Sequence, residues 1–434
     1  MSQHLLIDFG STYTKVIAVD IEQAYIMGTA QSATTIDQDI TVGLSRAISD
    51  LVEKHGIDLD CIKGKYASSS AAGGLKMVAI GLIPELTLEA ARRAALGAGA
   101  KLVSAYGFEI DQGIIREIES LSCDIILLSG GTDGGNKKVI LHNAEMLALS
   151  NLKCPILVAG NSSATNAVQE TLEQHNKKVY TARNVLPSLD IVDVEPAQAL
   201  IRDIFIAHII KAKGLAKAQQ YTGRNIIPTP KATLQAASLL ADGFEGEEGL
   251  GSLLVVEIGG ATTNIHSVID NQPVTSHAII KGLPEVRVKR TVEGDLGIRY
   301  NARTIFELAG EEKLQQYMQS LTPGGLDQRF DLKRYIEKIT SHVNYNPELI
   351  HEFNLDIALA KAAVTTAVER HAGVLKQEYY ANMGEVTVQY GKNLSEVKNV
   401  IGTGGVFKYG FEPQRILQSA IFDPQKPWFL KPKE

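Results

Sequence analysis

The stretch VEIGGATTN, residues 256–264, reads as a strand that runs into two glycines and leaves through two threonines. Near the start of the chain LLIDFGSTYTK, residues 5–15, repeats the plan: an apolar run, an acid, a glycine, then hydroxyls. A hydroxyl-rich glycine turn between strands suits a phosphate clamp. Glycine lets the backbone come close and aim several N–H groups at one point, and that concave donor set binds anions. Ser11, Thr12, Thr14, Thr262 and Thr263 can add hydroxyl donors, and Lys15 a point charge on a phosphate oxygen. Asp8 and Glu257 close their strands, where a carboxylate can hold a hydrated Mg2+ beside the phosphates. Either turn alone reads equally well as a plain tight hairpin. The recurrence, with a third glycine pair at Gly404-Gly405 after another strand, points to a nucleotide held in a cleft between two similar domains.

The whole chain is consistent with this. Its 434 residues have room for two or three domains at roughly 100–200 residues each. Hydrophobic residues make up 44% and charged residues 21%, the balance of a soluble globular protein. A net charge of -6 gives no reason to expect nucleic acid or an anionic membrane as partner. No apolar run approaches the ~20 residues of a membrane helix. MSQHLLIDFG lacks the basic and apolar regions of a signal peptide. Cys61, Cys123 and Cys154 are odd in number and far apart, which excludes a disulfide framework and a CxxC-type metal site. Reduced thiols in the cytoplasm are the expectation. Nothing in the sequence sets an oligomeric state.

Strands alternate with helices throughout, the pattern of an α/β protein. Residues 5–8, 16–20 and 25–30 read as strands, and Leu44, Ile48 and Leu51 recur at helical spacing before a stop at Gly56. Residues 65–74 read as a strand entering a small-residue loop, Thr87 as a helix cap, and 124–135 as a buried strand ending in glycines. A second unit starts near Asn151, and the polar link ADGFEGEEGLG (241–251) marks its end. The expected division is 1–150, 151–250 and 251–434. The order suggests a diverged duplication, in which the strand ending at Gly130-Gly131 answers the one ending at Gly404-Gly405. A long alanine-rich helix is expected over 355–373, and the tail around Trp428 is expected to pack along a surface.

These residues resemble the ASKHA superfamily of actin, sugar kinases and heat-shock chaperone ATPases. IDFGSTYTK is similar to its first phosphate loop at Asp8, Gly10, Ser11, Thr14 and Lys15. VEIGGATTN is similar to the second at Gly259, Gly260 and Thr262, and IGTGGVF to the adenosine motif at Gly402, Gly404 and Gly405. Longer blocks at 68–102, 127–137, 227–243 and 283–299 resemble one family within it, the MutL/GlmL family associated with glutamate mutase. The resemblance implies two RNase H-like lobes with an additional α/β segment between them, and Mg-ATP as cofactor. It implies a chaperone-like reactivating factor whose partner is a subunit of an adenosylcobalamin-dependent mutase, helping to expel damaged cobalamin. Asp8 and Glu257 would be the catalytic and magnesium-holding acids.

Two departures bear on turnover. Glu257 and Asn264 stand where the second phosphate loop of the superfamily has aspartates. Glu257 is one methylene longer, and a shift of about an ångström can cost ~10²-fold in rate. Asn264 cannot act as a base. A slow ATPase, working as a switch, is therefore expected. A small-molecule kinase or a non-catalytic nucleotide-binding scaffold are the readings from other classes. An iron–sulfur activator is disfavoured by the cysteine spacing. Residues 129–138 fail as a Walker loop, because Asn136 stands where lysine is required; the segment reads equally as a loop with Asp133 facing the cleft or as a plain structural turn. Glu293 and Asp295 could serve base or metal, with Thr291 as a helix cap the plainer reading. No D-x-H-x-x-G segment offers a histidine to cobalt.

Overall fold

β1 (Gln3–Phe9) turns its alternate residues Leu5, Ile7 and Phe9 inward, as half-buried strands do. β2 (Tyr13–Asp20) pairs with it antiparallel, and β3 (Tyr25–Ala33) pairs with β2. Helix α1 (Ile40–His55) is capped by Asp39, which accepts from the Thr41 N–H, and ends at Gly56 with φ 64°. β4 (Ile62–Ser69) returns parallel to β1. In this computed structural model the described residues are 2–35, 39–70, 76–98, 100–189, 191–212, 215–321 and 330–434. Most of the small-residue loop expected up to 74 lies outside them.

β5 (Lys76–Gly81), α2 (Glu89–Ala98), β6 (Lys101–Gly107), α3 (Gln112–Ser120), β7 (Ile125–Leu128), α4 (Lys138–Ala148), β8 (Ile156–Val158), α5 (Thr165–Gln174) and β9 (Val179–Thr181) follow. Their strands form an all-parallel sheet in the order β6-β5-β7-β8-β9. β7 and β8 are apolar and buried along their whole length, which a sheet covered on both faces requires. This sheet runs across residue 150, so residues 151–181 complete a layer begun before them. Thr87 does not cap α2. It lies in a π-helical turn over Pro84–Leu88, and its hydroxyl accepts from the N–H groups of Leu82 and Ile83 at 2.8 and 3.0 Å. Helices α6 (Glu195–Ala212) and α7 (Leu215–Thr222) lead to β10 (Ile227–Pro228), which adds parallel to β4.

Helix α8 (Thr229–Asp242) precedes the short pair β11 (Gly243–Phe244) and β12 (Glu247–Glu248), where the polar link was expected. β13 (Leu253–Ile258), β14 (Thr263–Val268), β15 (Ile279–Lys281) and β16 (Val288–Glu293) come next, then helices α9 (Ala302–Ala309), α10 (Glu311–Leu321), α11 (Leu332–Ser341) and α12 (Ile350–His371). β17 (Val374–Tyr380), β18 (Gly384–Tyr390), β19 (Asn399–Thr403), α13 (Gly405–Tyr409) and α14 (Pro413–Leu417) follow, with a 3-10 turn over Gln418–Ala420 after them.

The duplication is visible in strand order. One sheet reads β3-β2-β1-β4-β10 and another β16-β14-β13-β19. In both, the second strand runs antiparallel to the first and third, and the fourth runs parallel to the first. These are the two RNase H-like lobes expected from the sequence. One correspondence needs correction. β19 lies on β13 as β4 lies on β1, so β4, and not the strand ending at Gly130-Gly131, is its counterpart. β7 belongs to the all-parallel sheet inserted between β4 and β10. Glycines after an apolar strand mark a close backbone approach and do not say which sheet the strand joins.

The chain forms two compact units, Met1–Ser188 with Asp193–Ala232, and Leu189–Val192 with Thr233–Glu434. In the second, α12 buries Leu355, Leu359, Ala360, Ala363 and Ala367 against Val256, Ile258 and Ile265. The alanine face therefore serves the core of its own lobe, where small side chains let helix and sheet approach. Glu352 starts this helix by accepting from the N–H groups of Glu348 and Leu349. The tail lies along this unit: Leu375 donates to the Trp428 carbonyl and Leu394 to that of Leu430. Among the described residues no helix is long and apolar enough to cross a membrane. Leu359 is fully buried, so Leu359→Ala is expected to cost about 2–5 kcal/mol, read as a lowered urea midpoint of the second unit.

Candidate functional site

Both glycine turns close with the same hydrogen bond. In the first unit the Gly10 N–H donates to the Tyr13 carbonyl at 3.0 Å, and in the second the Gly259 N–H donates to that of Thr262 at 2.9 Å. The match extends into the strands. Asp8 sits opposite Lys15 across β1 and β2, and Glu257 sits opposite Asn264 across β13 and β14. Both acids therefore stand two residues before the closing glycine, on a shared face with the residue after the turn. A Cβ at Gly10 would lie 2.7 Å from the Tyr13 carbonyl oxygen, so this position requires glycine.

In turn one, the Asp8 carboxylate accepts from Ser68 at 2.9 Å and from Thr229 at 2.7 Å on one oxygen, and Lys15 stands 3.9 Å from the other. The carboxylate is thus aimed by hydroxyls from β4 and from the start of α8, while half-exposed Lys15 keeps its ammonium accessible. Thr14 points inward. It is fully buried, and its hydroxyl is 3.1 Å from that of Thr34, which donates to the Gly10 carbonyl at 2.8 Å. Thr12 differs: its hydroxyl is shielded yet has no hydrogen-bond partner among the described residues. Buried hydroxyls are normally bonded. A donor and acceptor left open in a turn built around glycine fits a phosphate oxygen.

Turn two is braced by the segment after β16. The N–H of Ile298 donates to the Gly259 carbonyl, and those of Arg299 and Tyr300 to the Gly260 carbonyl, at 2.9–3.2 Å. Asn301 donates to the Ala261 carbonyl at 2.8 Å. Thr263, expected to offer a donor, spends its hydroxyl on the Leu296 carbonyl at 2.6 Å. Beside the turn, Asn264 donates to Glu257 at 3.0 Å and His266 contacts the same oxygen at 3.3 Å. Asn264 therefore holds the acid rather than replacing a base. Burial pushes the Glu257 carboxyl up, but His266 and Asn264 outweigh it and hold it below its ordinary range. Burial pushes His266 down, which keeps the imidazole neutral near pH 7. Arg290 faces His266 across the ladder, and burial lowers its guanidinium to about 10. All three of its nitrogens, His266 Nδ1 and Asn264 Oδ1 are buried without a hydrogen-bond partner among the described residues.

Gly404 follows β19 with φ 112°, and a Cβ there would lie 2.0 Å from the Ile258 carbonyl oxygen. The third glycine motif thus packs on the strand that feeds turn two. Gly402 sits under the Phe407 ring, which a Cβ would meet at 2.7 Å, while the Cβ position of Gly405 faces open space. Within its own unit the structure brings Gly402, Gly404, Gly405, Glu257, Gly259, Gly260 and Thr262 together. Asp8, Gly10, Ser11, Thr12, Thr14 and Lys15 form the corresponding group in the other.

Other residues singled out by sequence are otherwise engaged. Thr291 lies in β16, not at a helix start, and bonds His371, which is wholly buried between it and Ser267. Arg370 ties Glu293 and Asp295 at 2.7 and 2.8 Å. Asp133 accepts from Ser162 N–H and the Asn184 amide at 2.9 Å each. His266 was missed, although the period of two after Asn264 places it on the Glu257 face. Arg290, Ser68 and Thr229 reach their acids from distant segments and gave no local signal.

Glu257 yields a pH prediction. The unfolded carboxyl titrates near 4.5 and the folded one lower, so between those values the unfolded chain binds more protons. Its contribution to stability is complete above the ordinary value and is lost as pH falls through the folded one. Glu257→Gln is expected to flatten this acid limb in urea midpoints measured from about pH 3 to 7.

The family described as MutL protein matches residues 4–434. The chain is 45% identical over 434 residues to Protein MutL of Clostridium tetanomorphum, covering 100% of this chain and 92% of that one. Among solved structures it is similar to xylulose kinase from Bifidobacterium adolescentis, with TM-score 0.29 and 13% identity over 97% of this chain and 88% of that chain. A glycerol dehydratase reactivase gives TM-score 0.32 and 11% identity over 98% and 96%. At such scores these two add nothing to the strand order described above. The family match spans both lobes and both glycine turns, and the chain belongs to the MutL protein family.

Proposed function

We propose that this protein is a cytoplasmic, ATP-dependent reactivating factor for an adenosylcobalamin-dependent mutase, binding a subunit of that enzyme and promoting release of damaged cobalamin. The observation that carries the nucleotide part is the repeated turn: two lobes of equal strand order present the same glycine closure with an acid two residues before it. The partner rests on membership in the MutL family and on what the sequence resemblance implies.

In this reading Lys15 places its charge on a phosphate oxygen, and Thr12 offers the hydroxyl that has no partner among the described residues. The N–H groups of the two turns supply further donors. Asp8 and Glu257 are the acids that would hold magnesium, which supplies charge neutralisation at the phosphates when bound. Ser68 and Thr229 fix the first carboxylate, and Asn264 with His266 fix the second. Arg290 sets a positive potential beside Glu257. Gly405, whose Cβ position faces open space, leaves room for the adenosine side, while Gly402 and Gly404 pack its loop on Phe407 and Ile258. The braced backbone of turn two is preorganised, while Glu257 in place of aspartate favours slow turnover, as a nucleotide-state switch requires.

Mg-ATP is expected to raise the melting midpoint, because a ligand that binds only the native state adds about 2.7 kcal/mol at 100 times its dissociation constant. Lys15→Ala is expected to abolish the shift. Thr12→Val, which keeps shape and removes one hydrogen bond worth about 0.5–1.5 kcal/mol, is expected to weaken ATP binding roughly 2- to 10-fold. Absence of any shift at saturating ATP would remove the nucleotide reading. A shift without ATP-dependent recovery of an inactivated mutase would leave the nucleotide site and remove the partner.

A further inference from the structure

Cys123 and Cys154 are 31 residues apart in sequence, yet their Sγ atoms lie 3.6 Å from each other. The topology explains this. Cys123 immediately precedes the approach to β7 and Cys154 the approach to β8, and those strands are adjacent and parallel, with Ile126 paired to Ile156. Neighbouring strands run about 4.8 Å apart, so residues just before them stand within disulfide reach. Both thiols are free and only half-buried. The third cysteine, Cys61, is exposed and lies elsewhere, with its S–H donating to Asp58 at 3.3 Å.

We infer that Cys123 and Cys154 are a reversible redox pair that forms an intramolecular disulfide by exchange with a low-molecular-weight disulfide and ties the start of β7 to the start of β8.

Cys123 is the attacking thiol. The hydrogen bond the two thiols share favours the Cys123 thiolate, and Cys154 is pushed up by that contact and by burial. Cys61 is pushed up by the Asp58 carboxylate, so it competes poorly. In the first step the Cys123 thiolate bonds one sulfur of R–S–S–R, the S–S bond breaks, and one R–S⁻ leaves with the electron pair. Cys154 then loses its proton to solvent and attacks Cys123 Sγ, and the second R–S⁻ leaves. Two protein thiols are oxidised by two electrons, and the small disulfide is reduced to two thiols. The sulfurs have to close from 3.6 Å to the ~2.05 Å of a disulfide. The bridge closes a loop that contains β7, the glycine-rich segment 129–136 and α4. It thereby restricts the unfolded and locally opened states of that segment.

The reduced full-length chain would be incubated with oxidised glutathione and read by intact mass, thiol titration and peptide mapping. Expected are a loss of two hydrogens, a fall from three free thiols to one, and a peptide joining Cys123 to Cys154. Cys154→Ser should stop at a glutathione adduct on Cys123, and Cys61→Ser should still form the bridge, its free thiols falling from two to none. The melting midpoint should rise on oxidation and return with dithiothreitol. Three surviving thiols, a bridge or adduct at Cys61, or a bridge between chains would overturn the pairing. A bridge that leaves the midpoint unchanged would overturn its tying role.

Discussion

One backbone hydrogen bond, from a glycine N–H to the carbonyl three residues on, shapes both lobes at the point that matters. It forces the reversal from first to second strand, and the reversal sets the antiparallel register. Register then decides which side chains share a face. Because side chains alternate with a period of two, the acid two residues before the glycine must stand opposite the residue two after the turn's close. Asp8 meets Lys15 and Glu257 meets Asn264 for this reason alone.

The lobes then diverge in how they treat that acid. In the first, Asp8 is oriented by two hydroxyls and faces a flexible cation near solvent. In the second, Glu257 is oriented by an amide and an imidazole, with a buried guanidinium beyond. Removing charge from water is costly unless it is paired, so the second arrangement stays ionised only because its neighbours outweigh burial. The two turns are equal in backbone and unequal in electrostatics. That asymmetry agrees with one turn supplying mobile charge and the other a fixed, preorganised acid.

The inserted sheet follows a different logic. β5 and β7 are neighbours in a parallel sheet whose order reverses between them, the kind of point at which open α/β sheets take ligands. Here the backbone donors after β5 are satisfied by Thr87, and Ser129 donates to the carbonyls of Ile80 and Thr87. Asp133 and Asn161 close the loop after β7 with bonds inside the chain. Its glycines, with φ 150° at Gly130 and 73° at Gly131 and Gly134, serve this self-closure.

The sequence by itself determined the first three strands, the apolar strands before Gly130, Gly259 and Gly404, both glycine turns, the helix that stops at Gly56 and a long alanine-rich helix, which it placed at 355–373 and the structure at Ile350–His371. Alternation, helical spacing and glycine conformation are local properties and can be read from neighbours in the chain. It also showed that one turn is built twice. It could not show which sheet the strand before Gly130 joins, because apolar strands before glycines look alike wherever they pair. Only tertiary structure brought Thr229 and Ser68 to Asp8, Arg290 to the Glu257 face, and Cys123 to Cys154. Those contacts are made between segments far apart in sequence, and their cost in chain entropy is offset by burial of the whole lobe, which no local pattern records.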